Sequence, residues 1–239
     1  MVKDSTRLER LKKEIMVDIY TNRMLLTSER DRPEGWRLVS GLWSPFYIQL
    51  RNLSSFPETM RKVGEAMTIM IKEAAPTVDK LVGIAFSGIP IATAVSIESG
   101  LPACHTRKML GVKTEADLQR ALADYGQHSI LEGVLKDGDS LCLVDDLVTG
   151  MESKMIARCQ VLAEANKREL SDVSCNDVAV IIDRQQGAKK RASEVGLRLH
   201  SLIRLVDEGL AFIKPLMSES EYELVSGYLA DPSKYQNRP

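Results

Sequence analysis

Hydrophobic residues in the first third of the chain recur first at helical and then at strand spacing. Apolar positions through residues 8–25 alternate with charged ones in the period of an amphipathic helix. Residues 43–50, here called the hood segment, mix aromatic and β-branched side chains, which predicts a strand in a hairpin or in a small subdomain. Ser55, Pro57 and Glu58 predict the start of a second helix, in which the serine caps the first turn and the glutamate closes a capping box.

Beyond Lys80 the pattern changes to short apolar runs separated by amphipathic segments. The runs predict strands at residues 81–86, 101–106, 130–135, 141–144, 178–182 and 199–205. The other segments predict helices at residues 90–99, 152–166, 187–195 and 221–229, and a helical or mobile excursion at 111–125. This alternation predicts an α/β fold with a mainly parallel sheet flanked by helices on both faces.

The length of 239 residues predicts one large domain with modest additions. We expect an N-terminal helical extension over residues 1–36, a main domain that includes the hood segment over 37–213, and a C-terminal helical tail over 214–239. A hydrophobic content of 44% is enough to bury a core.

The charge is nearly balanced, with 32 Lys and Arg against 33 Asp and Glu, so no uniform basic field favours nucleic acid or an anionic membrane as partner. The first residues are dense in charge, and no apolar run approaches the ~20 residues that span a bilayer. We therefore expect a soluble, cytoplasmic protein. Neither the cysteines nor the histidines have metal-site spacing, so reduced thiols are expected at Cys104, Cys142, Cys159 and Cys175.

Two adjacent carboxylates, Asp145 and Asp146, directly follow the most apolar run of the chain. Ligands bind beyond the carboxyl ends of parallel strands, where two partly dehydrated acids need hydroxyl donors or a cation. A ribose diol with an associated Mg²⁺ satisfies that need. The turn at residues 147–150 then leads into a helix whose first amide groups can hold a phosphate. The alternative interpretation is a turn that exposes two solvated acids before a capped helix.

Residues 141–149, LCLVDDLVT, resemble the PRPP-binding signature of type I phosphoribosyltransferases. Other segments narrow the resemblance to the orotate phosphoribosyltransferases. They are SGLWSPFYIQLR at 40–51, GIAFSGIPIATA at 83–94, RK at 107–108, LEG at 131–133 and DRQ at 183–185. The segments occur in the family's order and span residues 37–205, which implies the type I phosphoribosyltransferase fold.

The resemblance implies that Asp145 and Asp146 hold the ribose hydroxyls of PRPP, with Mg²⁺ bound mainly through PRPP and near both acids. The backbone amides of Ser87 and Gly88 then face the pyrophosphate. The implied cations at the pyrophosphate are Arg107 and Lys108, from the same subunit or from the partner in a homodimer. Residues assigned to the phosphate by the same resemblance are Thr149, Gly150, Met151, Glu152 and Ser153.

For the second substrate, the resemblance implies that Thr149 and Arg184 bind the carboxylate and ring edge of orotate. It also implies that Phe46 and Tyr47 stack on the base. The implied activity is transfer of the phosphoribosyl group from PRPP to orotate, which gives orotidine 5′-monophosphate and pyrophosphate.

Three positions depart from the family's motifs. Glu152 places a carboxylate where a phosphate is expected to dock, and Val39 stands where the family often has a lysine. In the catalytic loop the expected lysine is replaced by Ala123, after an insertion at residues 110–122 in which Lys113 or Arg120 is a candidate substitute. We assign the catalytic roles to Lys113 and Lys108, together with Asp145 and Asp146.

These changes make the predicted site less electropositive than that of a typical family member. They leave two alternatives open: a non-catalytic relative that binds PRPP or a nucleotide monophosphate as a regulatory signal, and a phosphoribosyltransferase for another base.

Overall fold

The computed structural model describes residues 2–38, 41–112, 114–124 and 128–236. Its central sheet has six strands in the spatial order β10-β9-β8-β5-β6-β7. These strands are β5 (Lys80–Gly83), β6 (Ala103–Thr106), β7 (Leu131–Glu132), β8 (Ser140–Val148), β9 (Ser174–Asp183) and β10 (Arg198–Arg204). Only β7 runs antiparallel to its neighbour within this sheet. The predicted α/β fold with a mainly parallel sheet is confirmed.

Helices cover both faces of the sheet. They are α1 (Val2–Thr21), α2 (Pro57–Ala74), α3 (Gly88–Ser99), α4 (Glu115–Asp124), α5 (Glu152–Lys167), α6 (Ala188–Glu194), α7 (Leu210–Ile213) and α8 (Glu219–Ala230). Alternate residues of β8 serve the two faces, because side chains of a strand alternate in direction. Leu141 and Leu143 pack with α5 and α6, whereas Cys142 and Val144 pack in the core that α1, α2, α3 and α8 share.

The predicted hood segment forms two small antiparallel sheets. β1 (Leu25–Thr27) pairs with β4 (Phe46–Ile48), and β2 (Trp36–Arg37) pairs with β3 (Trp43–Ser44). A 3₁₀ helix at Leu50–Ser55 then leads into α2. The single strand predicted over residues 43–50 is thus two short strands.

Two predicted helix boundaries are wrong. The first helix ends at Thr21, not near residue 25, because Arg23 adopts a positive φ of 57° and the N–H of Met24 donates to the Ile19 carbonyl oxygen (2.9 Å), which closes the helix end. Ser55 does not cap α2, since it belongs to the preceding 3₁₀ helix and Phe56 is the capping residue without a side-chain hydrogen bond.

The first and last helices are joined through a buried carboxylate. Glu221 of α8 accepts hydrogen bonds from the hydroxyls of Tyr20 (2.9 Å) and Thr27. Burial, followed by the hydrogen bond to Glu221, raises the pKa of Tyr20 to about 12. The N-terminal extension, the main domain and the C-terminal tail therefore share one core. The boundaries between these three segments stay a prediction.

Among the described helices, none is both long enough and apolar enough to span a bilayer. The four cysteines are free thiols, as predicted, and three of them are buried.

Candidate functional site

The residues predicted for the site meet where three parallel strands end at the same edge of the sheet. The turn that holds Ser87 follows β5, and Arg184 directly follows β9. Asp145 and Asp146, here called the acid pair, lie on β8 between those two strands. The backbone N–H of Arg184 donates to the Val148 carbonyl oxygen (3.0 Å), which places the ends of β8 and β9 side by side.

The acid pair lies within β8 and not after it, which corrects the prediction that the strand ends at Val144. β8 continues to Val148, because its pairing with β9 continues through Asp145↔Val180 and on to the end of both strands. The backbone of the acid pair is therefore fixed by a neighbouring strand.

The two acids differ in their hydrogen bonds. Oδ1 of Asp145 accepts from the N–H of Asp146 (2.9 Å), and Oδ2 of Asp145 accepts from Nζ of Lys154 (2.9 Å). Oδ1 of Asp146 accepts from the N–H of Leu147 (2.8 Å). Burial, followed by the neighbouring Asp145 carboxylate, raises the pKa of Asp146 to about 6. Perturbed carboxylates of this kind are concentrated at functional sites.

The phosphate turn, residues 149–153, is anchored by its central side chain. Met151 is fully buried, and α5 begins directly after it at Glu152. The carboxylate of Glu152 pairs with Arg191 of α6. It also lies against Gly150, since a side-chain carbon added there would stand 2.3 Å from Oε2 of Glu152. Ser153 is exposed. The predicted anion site thus has a carboxylate beside it, which an arginine partly neutralises.

The pyrophosphate turn, residues 84–88, packs directly on the acid strand. The N–H of Ile84 donates to the Val144 carbonyl oxygen (2.9 Å), and the N–H of Gly88 donates to the Ile84 carbonyl oxygen (2.8 Å). A side-chain carbon at Gly88 would stand 2.1 Å from the Val144 carbonyl oxygen, so only glycine fits there. This close approach brings Gly88 and the half-buried Ser87 next to the acid pair.

Arg107 and Lys108 line a small cavity of about 80 Å³ beside the start of α5. Ala85 of the pyrophosphate turn and Ser153 of the phosphate turn line the same cavity. Nη1 of Arg107 lies 3.6 Å from the carboxylate of Glu132, whereas Lys108 is exposed. The structure therefore brings both predicted cations between the two turns.

The inserted segment, residues 110–122, contributes α4, as the helical interpretation predicted. Leu118 of α4 is fully buried against α5. Arg120 is exposed on the same helix and pairs with Asp117 (2.6 Å). Lys113, the predicted catalytic lysine, lies outside the described residues, as does Val39.

Helix α5 also holds both ends of the segment that carries α4. Nε2 of Gln160 donates to the Arg107 carbonyl oxygen (3.0 Å) on one side. On the other side, the N–H of Ile130 donates to Oε2 of Glu164 (3.0 Å). The segment thus starts and ends on one helix.

Arg184 is the most unusual side chain at this edge of the sheet. It is 9% exposed, and its Nε and Nη2 have no hydrogen-bond partner within the part of the chain that the structure describes. Its guanidinium lies 4.8 Å from the centroid of the Phe46 ring. Burial lowers the pKa of Arg184, because the charged form loses hydration. A buried and unpaired guanidinium is costly, and a planar carboxylate is the group that matches its paired donors.

Phe46 and Tyr47 point to opposite faces of β4. Phe46 is buried against Tyr228, with 5.9 Å between ring centroids, whereas Tyr47 stacks on Trp36 at 6.2 Å. A flat ligand on one face of β4 can therefore meet only one of the two rings.

Lys154 is a residue of the site that sequence reasoning missed. Its side chain is buried and donates a hydrogen bond to Asp145. The signal was present in the sequence, because Lys154 shares a helical face with Ala157, Val161 and Ala165, which are small or apolar. A lysine on the buried stripe of a helix requires a partner of opposite charge.

Comparisons with known proteins were made by family model, by sequence and by structure. No family model matches the chain. The orotate phosphoribosyltransferase of Caenorhabditis elegans is 31% identical over 217 residues, which cover 90% of this chain and 86% of that protein. The orotate phosphoribosyltransferase of Methanosarcina mazei is 31% identical over 170 residues, which cover 71% of this chain and 80% of that protein.

Among solved structures, the UMP synthase of Leishmania donovani superimposes with a TM-score of 0.72 at 22% identity. The match covers 91% of this chain but only 42% of that longer protein. At this identity the likeness shows the fold alone.

Proposed function

Because the chain belongs to the orotate phosphoribosyltransferase family, we propose that it transfers the phosphoribosyl group of PRPP to N1 of orotate, giving orotidine 5′-monophosphate and pyrophosphate. The observation that carries this proposal is the buried guanidinium of Arg184 at the edge of the sheet, whose Nε and Nη2 have no hydrogen-bond partner in residues 2–38, 41–112, 114–124 and 128–236. Orotate brings a carboxylate on a planar ring, which can accept two hydrogen bonds from it. Thr149 follows Val148, the last residue of β8, which pairs with Asp183 at the end of β9, and we assign Thr149 to the ring edge.

In the proposed site, the acid pair faces the ribose and Asp146 accepts its hydroxyls, while the phosphate turn holds the 5′-phosphate with its backbone amides. Ser87 and Gly88 face the pyrophosphate, and Arg107 and Lys108 add positive charge to it. The assignment is supported by the cavity that both cations share with the two turns.

The aromatic residues receive different roles in this proposal. Phe46 supports the guanidinium of Arg184 from below, since the two are in contact. Tyr47 lies on the other face of β4 with Trp36, and a role in stacking on the base requires the hood to reach the ligand by that face.

Mg²⁺ is proposed to enter mainly with PRPP. Within the described residues no group of three His, Cys, Asp or Glu side chains could hold a metal ion. Both oxygens of Asp145 already accept hydrogen bonds, so Asp146 supplies the free carboxylate oxygen near the ion. Mg²⁺ commonly binds through one or two carboxylates and substrate phosphates, and when bound it would offset the charge of the leaving pyrophosphate.

The reaction breaks the bond between C1 of the ribose and the pyrophosphate oxygen, and a bond from N1 of orotate forms at the same carbon. The electron pair of the broken bond leaves with the pyrophosphate, and the proton of N1 passes to the pyrophosphate or to water. Positive charge grows on the ribose ring, and the acid pair stabilises it. The remaining contribution of the protein is to align the two substrates and to exclude water, since hydrolysis of PRPP competes.

The proposal is tested by mixing the purified protein with PRPP, Mg²⁺ and orotate and following orotate absorbance. Consumption of orotate with formation of orotidine 5′-monophosphate supports it. Thermal stabilisation by PRPP without consumption of orotate supports the regulatory alternative. Consumption of a different base, when it replaces orotate in the assay, supports a phosphoribosyltransferase for another base.

The affinity for PRPP should depend on pH through Asp146. A ribose hydroxyl donates to the ionised carboxylate of Asp146. The affinity for PRPP is therefore highest above the raised pKa of about 6 and falls as the pH drops below it. The stability of the free protein has the opposite pH dependence. Because the pKa of Asp146 is raised in the folded protein, this group's contribution to stability is complete below about pH 4 and declines as the pH rises to about 6. Measuring the affinity for PRPP from pH 5 to pH 8, a range of ~3 pH units, checks the direction of this pH dependence. Asp146→Asn should remove the dependence.

Replacing Glu152 by glutamine should tighten PRPP binding by about threefold, because it removes an exposed and screened negative charge beside the phosphate turn. Glu194→Gln is the matched control, since Glu194 is an exposed glutamate on α6 that pairs with Lys190 (3.9 Å). Calorimetry with PRPP measures both variants. Equal affinity of Glu152→Gln and the parent would mean that Arg191 already cancels the charge.

We further propose a cytoplasmic homodimer. Four free cysteines fit a reducing compartment. An apolar groove between α2 and α3, lined by Met60, Pro90 and the 82% exposed Ile97, offers a surface for a second copy.

A further inference from the structure

Lys154 is only 4% exposed, and in the sequence it directly follows the phosphate turn. Its ammonium group donates to Oδ2 of Asp145 (2.9 Å) and to the Leu147 carbonyl oxygen (2.7 Å). It therefore joins two parts of the site: the acid strand, at two of its residues, and the first turn of α5.

The position of Lys154 is unfavourable for stability. It lies in the first turn of α5, where the helix dipole is positive and disfavours a cation. A buried ion pair in addition loses the hydration of both charges, so it seldom stabilises a fold more than apolar side chains of equal size. A function at the site is a better explanation for this lysine than stability.

Its effect on the acid pair is specific. Lys154 and the N–H of Asp146 occupy both oxygens of Asp145, whereas only Oδ1 of Asp146 has a hydrogen-bond donor within the described chain. Asp146 is thus the carboxylate with an oxygen available to a ligand. The charge of Lys154 also lies at the Leu147 carbonyl, two residues before the phosphate turn, beside which Glu152 places a negative charge.

We propose that Lys154 is a positioning residue for the ribose 5-phosphate part of the ligand. It fixes Asp145 as a structural acid, leaves Asp146 to accept the ribose hydroxyls, and supplies positive charge beneath the 5′-phosphate. This inference rests on the proposed function, and it predicts an effect on PRPP and orotidine 5′-monophosphate but not on orotate.

The test is Lys154→Met, which keeps the length of the side chain and removes its charge. PRPP and orotidine 5′-monophosphate should bind at least about tenfold more weakly, while KM for orotate at saturating PRPP stays unchanged. Lys154→Arg should recover part of the affinity. Lys80→Met is the matched control, since Lys80 is a buried lysine paired with Asp139 at the opposite edge of the sheet. It should lower thermal stability without changing PRPP affinity.

A purely structural role is separated from a positioning role by the double variant Lys154→Met with Asp145→Asn. The second change removes the buried unpaired carboxylate, so the melting temperature should rise above that of Lys154→Met, while PRPP affinity stays low. Affinity that returns together with stability would overturn the proposal, as would parental affinity in Lys154→Met.

The parent protein separates this inference from the proposed function. Binding of PRPP without turnover of orotate contradicts the proposed function, and the Lys154 variants are then judged by PRPP affinity alone. A parent protein that binds neither PRPP nor orotidine 5′-monophosphate contradicts both.

Discussion

Arg184→Met should lower kcat/KM for orotate by about 10³-fold and at the same time make the free protein more stable. The loss arises because the carboxylate of the substrate would have no guanidinium to bind and would remain buried without a partner. Affinity for PRPP should change little, because Arg184 is assigned to the other substrate. Steady-state kinetics with each substrate varied in turn measures the difference.

The gain in stability has a separate physical origin. In the free protein, Nε and Nη2 of Arg184 are buried and have no hydrogen-bond partner among the residues that the structure describes. Methionine fills a similar volume and packs well on the Phe46 ring, so its introduction should stabilise the fold by about 1–3 kcal/mol. For a chain of this size that corresponds to a rise of roughly 2–10 °C in Tm.

Arg204→Met is the control for both measurements. Arg204 lies at the end of the neighbouring strand β10, is exposed, and pairs with Asp207 (3.2 Å). Its replacement should leave KM for orotate and Tm nearly unchanged. Parental kcat/KM in Arg184→Met would remove Arg184 from the orotate site and would leave its buried charge without an explanation.

Asp146→Asn should weaken PRPP binding by about 10²-fold while the fold stays intact. An amide is a poorer acceptor than a carboxylate for ribose hydroxyls, and each hydrogen bond to a charged group contributes about 1.5–3 kcal/mol. Asp146 is a cleaner test than the double change Asp145→Asn with Asp146→Asn, because removing the Asp145 charge leaves Lys154 buried without its partner. Calorimetric titration with PRPP gives the affinity, and circular dichroism checks the fold.

Asp183→Asn serves as the matched control for Asp146→Asn. Asp183 is a buried carboxylate at the end of β9, and it accepts a hydrogen bond from the N–H of Gln185 (2.7 Å). Equal losses of PRPP affinity in the two variants would indicate a general effect on the sheet edge and not a contact with ribose.

Much of the fold could be predicted from the sequence, because buried strands appear in it as short apolar runs. The apolar runs marked all six strands of the main sheet, and α5 begins at Glu152 as predicted. The extension of β8 to Val148 could not be predicted from the run itself, since it depends on pairing with β9, some 30 residues later.

The candidate site followed in outline for a similar reason. Adjacent acids after an apolar strand and a glycine turn before a helix are local patterns. The partners of those residues are not local, because Glu152 meets Arg191 only when α6 folds beside α5, and the free donors of Arg184 appear only when the hood covers it. The end of the first helix at Thr21 was missed because Arg23, which is not a glycine, adopts the left-handed conformation just after it.

Gln160 and Glu164 each make one hydrogen bond to a residue that flanks the inserted segment. These two bonds allow the length of the family's loop to vary. Gln160 and Glu164 are one turn apart on a single rigid helix. The two ends of the inserted segment therefore keep the same separation, whatever sequence lies between them. Extra residues cost only the slowly growing entropy of a longer closed loop. A graft that exchanges α4 for a short linker would therefore leave the sheet and its edge undisturbed.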